Sequence, residues 1–205
     1  MRFLLVRHGA TLNNAEARYT GQSDVPLSEL GERQAVALGK RLASETLDVI
    51  VSSDLQRARL TARAIAHHHA LPVWEDADLR EVALGKWEGL TFAEVALRDA
   101  DLVARRHIDP ACAPPGGETF IQLRDRVVRA LERWQTRYPR ATMLWVTHGG
   151  VMEMLVCHLL DIDLKHRRQF RHDNASITEF DLSRDYAILV HLNGNVLDKS
   201  ALRAG

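Results

Sequence analysis

Short apolar runs alternate along this chain with longer stretches in which apolar residues recur at helical spacing. Bounded runs of about four to six apolar residues are typical of buried strands, and a period of about 3.6 is typical of helices that pack on a sheet. The order of the two patterns predicts an α/β protein whose sheet is wrapped by helices. The strands are predicted at 3–6, 47–51, 142–146, 177–182 and 187–192.

Polar residues stand where several helices are expected to begin. Ser28, Asp54 and Thr119 precede amphipathic stretches, and each side chain can accept a hydrogen bond from the first turn of a helix. Another helix is predicted to open at Gly149 and Gly150. The helix after Ser28 is expected to direct four apolar side chains toward the core: Leu30, Ala35, Leu38 and Leu42.

The stretch 90–117 is less regular than its surroundings and ends in two prolines followed by two glycines. We interpret it as a helical flap inserted over the strand ends, within a single domain covering residues 1–205. The residues 198–205 are predicted to form a frayed tail.

Composition and charge exclude several classes of function. Lys plus Arg and Asp plus Glu both total 27, so the formal net charge is zero. This balance argues against a nucleic-acid or membrane-surface role, because both usually need a net basic field. The two cysteines are far apart, which makes a disulfide framework improbable. With neither a signal-peptide pattern nor an apolar run of about 20 residues, we expect a cytoplasmic protein.

Polar groups follow the predicted strands at the point where each strand ends. Arg7-His8-Gly9 follows the first, Ser52-Ser53-Asp54 follows the second with Arg57 one turn later, and Thr147-His148-Gly149 follows the third. Ligands of α/β proteins bind at the carboxyl ends of parallel strands. The sequence therefore predicts that these groups meet at one edge of the sheet, where Gly9 lets a ligand approach the backbone.

This arrangement resembles the histidine phosphatase superfamily, whose members share Arg-His-Gly after the first strand. A lone triplet is weak support, but the resemblance continues in order over nearly the whole chain. It implies the phosphoglycerate-mutase-like fold, a three-layer α/β/α sandwich with a mostly parallel central sheet. The six matching blocks are RHGATLNN (7–14), YTGQSDVPLSELG (19–31), SSDLQRARLTA (52–62), LREVALGKWEGL (79–90), PGGET (115–119) and VTHGG (146–150).

The resemblance implies that His8 is the nucleophile and that Glu81 is the proton donor. His8 must be neutral to attack, and the nearby cations Arg7 and Arg57 disfavour its imidazolium form. A bound phosphate disfavours the ionised form of Glu81, which leaves the acid available to protonate the departing oxygen. The carboxylate then formed can take a proton from water. With His148, these residues make up the expected catalytic set.

A phosphoryl group requires donors and positive charge around its oxygens. Guanidinium groups suit this task because their planar fork binds two oxygens and stays charged. A backbone amide at a helix start can add a further donor. The residues expected to bind phosphate are Arg7, Asn14, Gly21, Gln22, Arg57, His148 and Gly149.

Neither a metal nor another cofactor is expected. The three consecutive histidines His67, His68 and His69 are the cluster that most resembles a metal site. Consecutive residues on a helix cannot all face one point, so a metal role there is improbable.

The resemblance leaves three functions open. The chain is short and carries LGKWEGL at 84–90, where phosphoglycerate mutases have a tyrosine-containing stretch, so it is closer to the small phosphatases such as α-ribazole phosphatase. We therefore expect a metal-independent phosphomonoester hydrolase that acts through phosphohistidine on a small phosphorylated metabolite. A cofactor-dependent phosphoglycerate mutase is the alternative. A non-catalytic phospho-ligand module is less favoured because His8 and Glu81 are both present. The physiological substrate stays open, as does the choice between a monomer and a homodimer.

Overall fold

The computed structural model describes residues 1–194, and within that range it contains a six-stranded sheet of order β3-β2-β4-β1-β5-β6. Strands β3, β2, β4 and β1 run parallel, whereas β5 and β6 pair antiparallel. This confirms the mostly parallel sheet. The predicted frayed tail at 198–205 lies outside the described residues. The strands are β1 (Arg2–Arg7), β2 (Val49–Ser52), β3 (Val73–Glu75), β4 (Met143–Thr147), β5 (Ile177–Leu182) and β6 (Ala187–Gly194).

Helices cover both faces of this sheet, which confirms the α/β/α sandwich. Along β1, Phe3 and Leu5 point to one face and Leu4 and Val6 to the other, because successive side chains of a strand alternate. The first face packs against α6 and α7, and the second against α2 and α3. The helices are α1 (Leu12–Ala15), α2 (Glu29–Leu42), α3 (Gln56–Ala66), α4 (Phe92–Arg98), α5 (Ala100–Ile108), α6 (Phe120–Arg137) and α7 (Gly149–Leu159).

The predicted helix starts are confirmed with one exception. Ser28 accepts a hydrogen bond from the amide of Gly31, and Thr119 forms a capping box with Gln122. The prediction for Asp54 was wrong, because α3 begins one residue later, after Leu55. The Asp54 carboxylate instead accepts two hydrogen bonds from the guanidinium of Arg80, at 2.7 and 2.5 Å.

Two further features differ from expectation or extend it. Leu30 is 41% exposed and does not reach the core, since it lies in the first turn of α2 on the solvent side. The stretch 90–117 contains α4 and α5, and the indole N–H of Trp87 anchors their junction by donating to Asp99 at 2.7 Å. Its role as a flap on a single domain stays a prediction. Within residues 1–194, the helices are all too short or too polar to cross a bilayer.

Candidate active site

The carboxyl ends of β1, β2 and β4 bring their polar residues to one edge of the sheet. The amide of His8 donates to the carbonyl of Thr147 at 3.0 Å, and the amide of Ser53 donates to Val146 at 3.0 Å. These bonds extend the parallel pairing just past the strands. The imidazoles of His8 and His148 consequently lie side by side, with ring centroids 5.0 Å apart.

His8 is held as a neutral imidazole. Its Nδ1 lies 2.7 Å from the carbonyl oxygen of Gly9, which places the ring proton on Nδ1 and leaves the lone pair on Nε2. Burial lowers the pKa of His8 well below its usual value, and the charges of Arg57 and Arg7 lower it further. The ring is therefore suited to attack an electrophile through Nε2.

Gly9 is required by close packing of the protein backbone, and its contact with a ligand stays a prediction. A Cβ atom at this position would collide with the carbonyl oxygen of Gly31, and a Cβ at Gly31 would collide with the carbonyl oxygen of Ala10. The start of α2 thus lies directly against the loop after β1. The amide of Gly9 donates to Thr61 on α3, so two helices fix the position of this loop.

The guanidinium of Arg57 is buried at the site. It donates to the carbonyls of Ser23 and Gly21 at 2.8 and 2.7 Å, and burial lowers its pKa to about 10. Arg57 therefore fixes the loop 20–25 in addition to placing a cation beside His8. Gly21 is left-handed there, with φ of 52°.

Arg7 donates to the carbonyl of His172 at 2.6 Å. Its Nε is buried and has no hydrogen-bond partner among residues 1–194. A Cβ on Gly149 would stand 3.6 Å from that Nε, so the start of α7 lies against Arg7. Arg7 and the first amides of α7 therefore adjoin each other, as an anion site at a helix N-terminus requires.

His148 is the N-cap residue of α7 and is also neutral, because burial and the charge of Arg57 lower its pKa well below the usual value. Its Nε2 lies 2.9 Å from the hydroxyl of Ser53. Its Nδ1 is buried, and nothing in the described part of the chain hydrogen bonds to it. The sequence placed Ser53 at this edge, but its contact with His148 depends on the β2–β4 pairing.

Glu81 comes to the site from the loop after the short helix Ala77–Leu79. Its carboxylate accepts from the amides of Val82 and Gly150, at 2.8 and 3.1 Å. A Cβ at Gly150 would displace the Glu81 carboxylate from this position. Arg126 and Gln22 donate to the Glu81 carbonyl, which holds the backbone of the loop.

Asn14 lies at the rim and is exposed. Its Oδ1 accepts from Thr11 and from Asn174, whose amide group also donates to the carbonyl of His8. The Nδ2 of Asn14 is therefore the group that can face a ligand. Gln22 donates to the backbone of Glu81, and the carbonyl of Gly21 accepts from Arg57. These two residues, which the sequence predicted to bind phosphate, therefore lie beside the candidate site.

Glu153 and His172 also adjoin the site and were missed. Glu153 lies one helical turn after Gly150, and burial together with the charge of Glu81 raises its pKa to about 8. Burial lowers the pKa of His172 to about 4, with a contribution from Arg7. Glu153 follows Gly150 by three residues, which places both on the same face of a helix. This spacing is the sequence signal that could have identified Glu153.

Among residues 1–194, no group of three or more His, Cys, Asp or Glu side chains is arranged so that it could hold a metal ion. His67 and His68 are exposed just after the C-terminal end of α3, whereas Arg57 lies in its first turn.

The fold and the site together define a class of protein. It is an α/β/α protein that brings two neutral histidines, two arginines and a carboxylate together at the carboxyl edge of its sheet. The chain belongs to the histidine phosphatase superfamily (branch 1), whose sequence profile matches residues 3–195.

Individual relatives agree with this assignment. The chain is 40% identical over 192 residues to a bifunctional protein of Mycobacterium tuberculosis. This match covers 93% of this chain and 53% of the relative. This chain thus spans about half the length of that relative. It is 34% identical to phosphoserine phosphatase 1 of Hydrogenobacter thermophilus, covering 94% and 92% of the two chains. The structure of mycobacterial glucosyl-3-phosphoglycerate phosphatase with VO3 superposes with a TM-score of 0.89 at 31% identity, covering 95% and 99%.

Proposed function

We propose that the protein is a metal-independent phosphomonoesterase that acts on a small phosphorylated metabolite through phosphorylated His8. The observation that carries this proposal is the state of His8, whose Nδ1 proton is held by Gly9 and whose buried ring is neutral between two arginines. A nucleophilic nitrogen in a cationic site is what transfer of an anionic phosphoryl group requires. Two phosphatase relatives match this chain over nearly the whole length of both proteins, and they support the same reaction class.

In the first step, His8 Nε2 attacks phosphorus and the bond from phosphorus to the ester oxygen breaks. Glu81 gives its proton to that oxygen, so the leaving group departs as an alcohol. In the second step, the Glu81 carboxylate takes a proton from water while the water oxygen attacks phosphorus. The N–P bond breaks, inorganic phosphate forms, and both His8 and Glu81 return to their starting states.

The phosphoryl oxygens are proposed to contact the Nε of Arg7, the amide of Gly149 and the side-chain amide of Asn14. The Ser53 hydroxyl accepts from the amide of Leu55 at 3.3 Å, and we assign its proton to His148 Nε2. This assignment puts the His148 ring proton on Nδ1, which then donates to a phosphoryl oxygen.

Arg57 is proposed to contribute its positive charge to the site, because two of its nitrogens already donate to the loop that contains Gly21 and Gln22. This loop is therefore proposed to act partly by fixing Arg57 and Glu81. A cytoplasmic location and the choice between a monomer and a homodimer stay predictions.

The test compares wild type with His8→Ala on p-nitrophenyl phosphate in EDTA, with interconversion of phosphoglycerates assayed in parallel. His67→Ala is the matched control, because His67 is an exposed histidine at the C-cap of α3. We expect EDTA-resistant hydrolysis that falls by at least about 10³-fold in His8→Ala and is unchanged in His67→Ala. Interconversion without hydrolysis would assign the protein to the mutases. Hydrolysis that EDTA abolishes would refute the metal-independent mechanism.

A further inference from the structure

A second carboxyl group lies beside the proposed proton donor. Glu153 is in α7, three residues after Gly150 and four after Gly149. Side chains of a helix lean back over the turn before them, so Glu153 extends over two residues that have no side chain. The Glu81 carboxylate lies on the same surface, because it accepts a hydrogen bond from the amide of Gly150 at 3.1 Å. The two carboxyl groups therefore share one face of α7.

The spacing along α7 brings these two acids within reach of each other. A Cβ on Gly150 would collide with Oε1 of Glu81, so this oxygen occupies the place of a side chain at position 150. Helix positions three residues apart are neighbours, with Cβ atoms about 5–6 Å apart. The Glu153 side chain can span that gap to Glu81, directly or through one water molecule. Its electrostatic interactions with Glu81 and Arg7 agree with this placement.

The carboxyl group of Glu153 is not held elsewhere. Within residues 1–194 it makes no hydrogen bond, and it is partly exposed, so it can exchange protons with solvent. The charged and titratable groups that face it are Glu81, Arg7 of β1, Arg167 and Arg168 of the short helix Leu164–Gln169, and Cys157 one turn later in α7.

Glu81 is arranged as a carboxylate in the free site. Its Oε1 accepts from the amide of Val82 and its Oε2 from the amide of Gly150. The proposed first step nevertheless requires a proton on Glu81. Two adjacent carboxylates beside an anionic phosphoryl group repel one another strongly, so the pair retains one proton. The pKa of Glu153, raised to about 8, places that proton on Glu153 in the free protein at neutral pH.

We propose that Glu153 and Glu81 share one proton, which Glu153 supplies to Glu81 when a substrate binds. This inference rests on the proposed phosphatase function and adds the source of the proton to it. Glu81 passes the proton to the departing ester oxygen, and both carboxyl groups are then ionised. In the second step Glu81 takes a proton from the attacking water and returns it to Glu153. Glu153 acts through Glu81, so it is a positioning residue for the proton.

The test compares two esters that need this proton to different degrees. p-Nitrophenolate is a good leaving group that departs without a proton, whereas phenolate is a poorer one that depends on general acid catalysis. In Glu153→Gln at pH 7, kcat/KM for phenyl phosphate should fall at least about tenfold more than kcat/KM for p-nitrophenyl phosphate. Glu132→Gln, the same exchange at an exposed position of α6, is the matched control and should change neither value.

The pH profile gives a readout that a purely structural role would not move. With phenyl phosphate, kcat/KM of wild type should decline above about pH 8, where the pair loses its proton. In Glu153→Gln the decline should begin at least about one pH unit lower, because Glu81 must then hold the proton alone. Glu153→Asp keeps an acid at this position and should restore part of the lost range. A decline at the same pH in wild type and Glu153→Gln would overturn the proposal, as would equal losses for the two esters.

Failure of the phosphatase function gives a different outcome. If wild type hydrolyses neither ester, the sharing of a proton is measured by carbon-13 NMR titration of the glutamate carboxyl groups. A signal that titrates near pH 8 should be absent in Glu153→Gln. In Glu81→Gln it should titrate at a lower pH, because the neighbouring negative charge has been removed. A signal that Glu81→Gln leaves unmoved would show that the two carboxyl groups share no proton.

Discussion

Replacement of His172 by Leu should make the protein less sensitive to acid. His172 is buried beside Arg7, and neither of its ring nitrogens has a hydrogen-bond partner among the described residues. Burial and the charge of Arg7 lower its pKa to about 4. Leucine is of similar size and removes no side-chain hydrogen bond. The contact with Arg7 uses the backbone carbonyl of residue 172, which the substitution leaves in place.

The magnitude follows from proton linkage. In the unfolded chain the pKa of a histidine is about 6.5, so the unfolded state gains a proton as the pH falls below 6.5, whereas the folded state does not until about pH 4. The stability contributed by neutral His172 is thus complete above pH 6.5 and is lost progressively toward pH 4. At pH 5 the loss is about 2 kcal/mol, from about 1.5 pH units at about 1.4 kcal/mol each.

The assay is urea unfolding of wild type and His172→Leu at pH 7 and at pH 5. The free energy of unfolding should fall by about 2 kcal/mol more in wild type than in the variant between the two values. His8 and His148 are also buried as neutral rings and contribute in both proteins, so the difference isolates His172. His67→Leu, at an exposed position, is the control. Equal losses in wild type and His172→Leu would refute the reasoning.

Three other outcomes are expected. Ser53→Ala removes the hydrogen bond to His148 and should lower kcat/KM for p-nitrophenyl phosphate about tenfold, the equivalent of about 1.4 kcal/mol; unchanged kinetics would contradict the proton assignment. Gly31→Ala places a Cβ against the carbonyl oxygen of Ala10 and should destabilise the fold by about 2 kcal/mol or more in urea unfolding. Because burial and the charges of two arginines lower the pKa of His8, kcat/KM for p-nitrophenyl phosphate should stay unchanged as the pH falls through 6.5. A loss of half of kcat/KM near pH 6.5 would show that the nucleophile titrates there.

Much of the sheet and of the site could be predicted because the signals are local. An apolar run of four or five residues predicts a buried strand, and a serine or threonine before an amphipathic stretch predicts a helix start. His8 and His148 follow such strands directly, so their meeting depends on the parallel order of β1 and β4 alone. The strand β3, three residues long with two of them exposed, carries no such signal.

Errors occurred where a distant partner decided the outcome. Asp54 has the side chain and position of an N-cap, but Arg80, 26 residues later, binds its carboxylate in two hydrogen bonds. The local pattern at Asp54 was compatible with two structures, and a long-range contact selected one. The close approach of Gly31 to Gly9 is likewise a contact between distant residues that the local pattern does not show.

The sequence by itself determined the order of five of the six strands, the family and the identity of the residues at the strand ends. These depend on periodicity and on short motifs, which are properties of neighbours along the chain. Only the tertiary structure decided the raised pKa of Glu153 and the lowered pKa of His172. Both depend on burial and on charges contributed by distant segments, and burial is defined only once those segments are packed together.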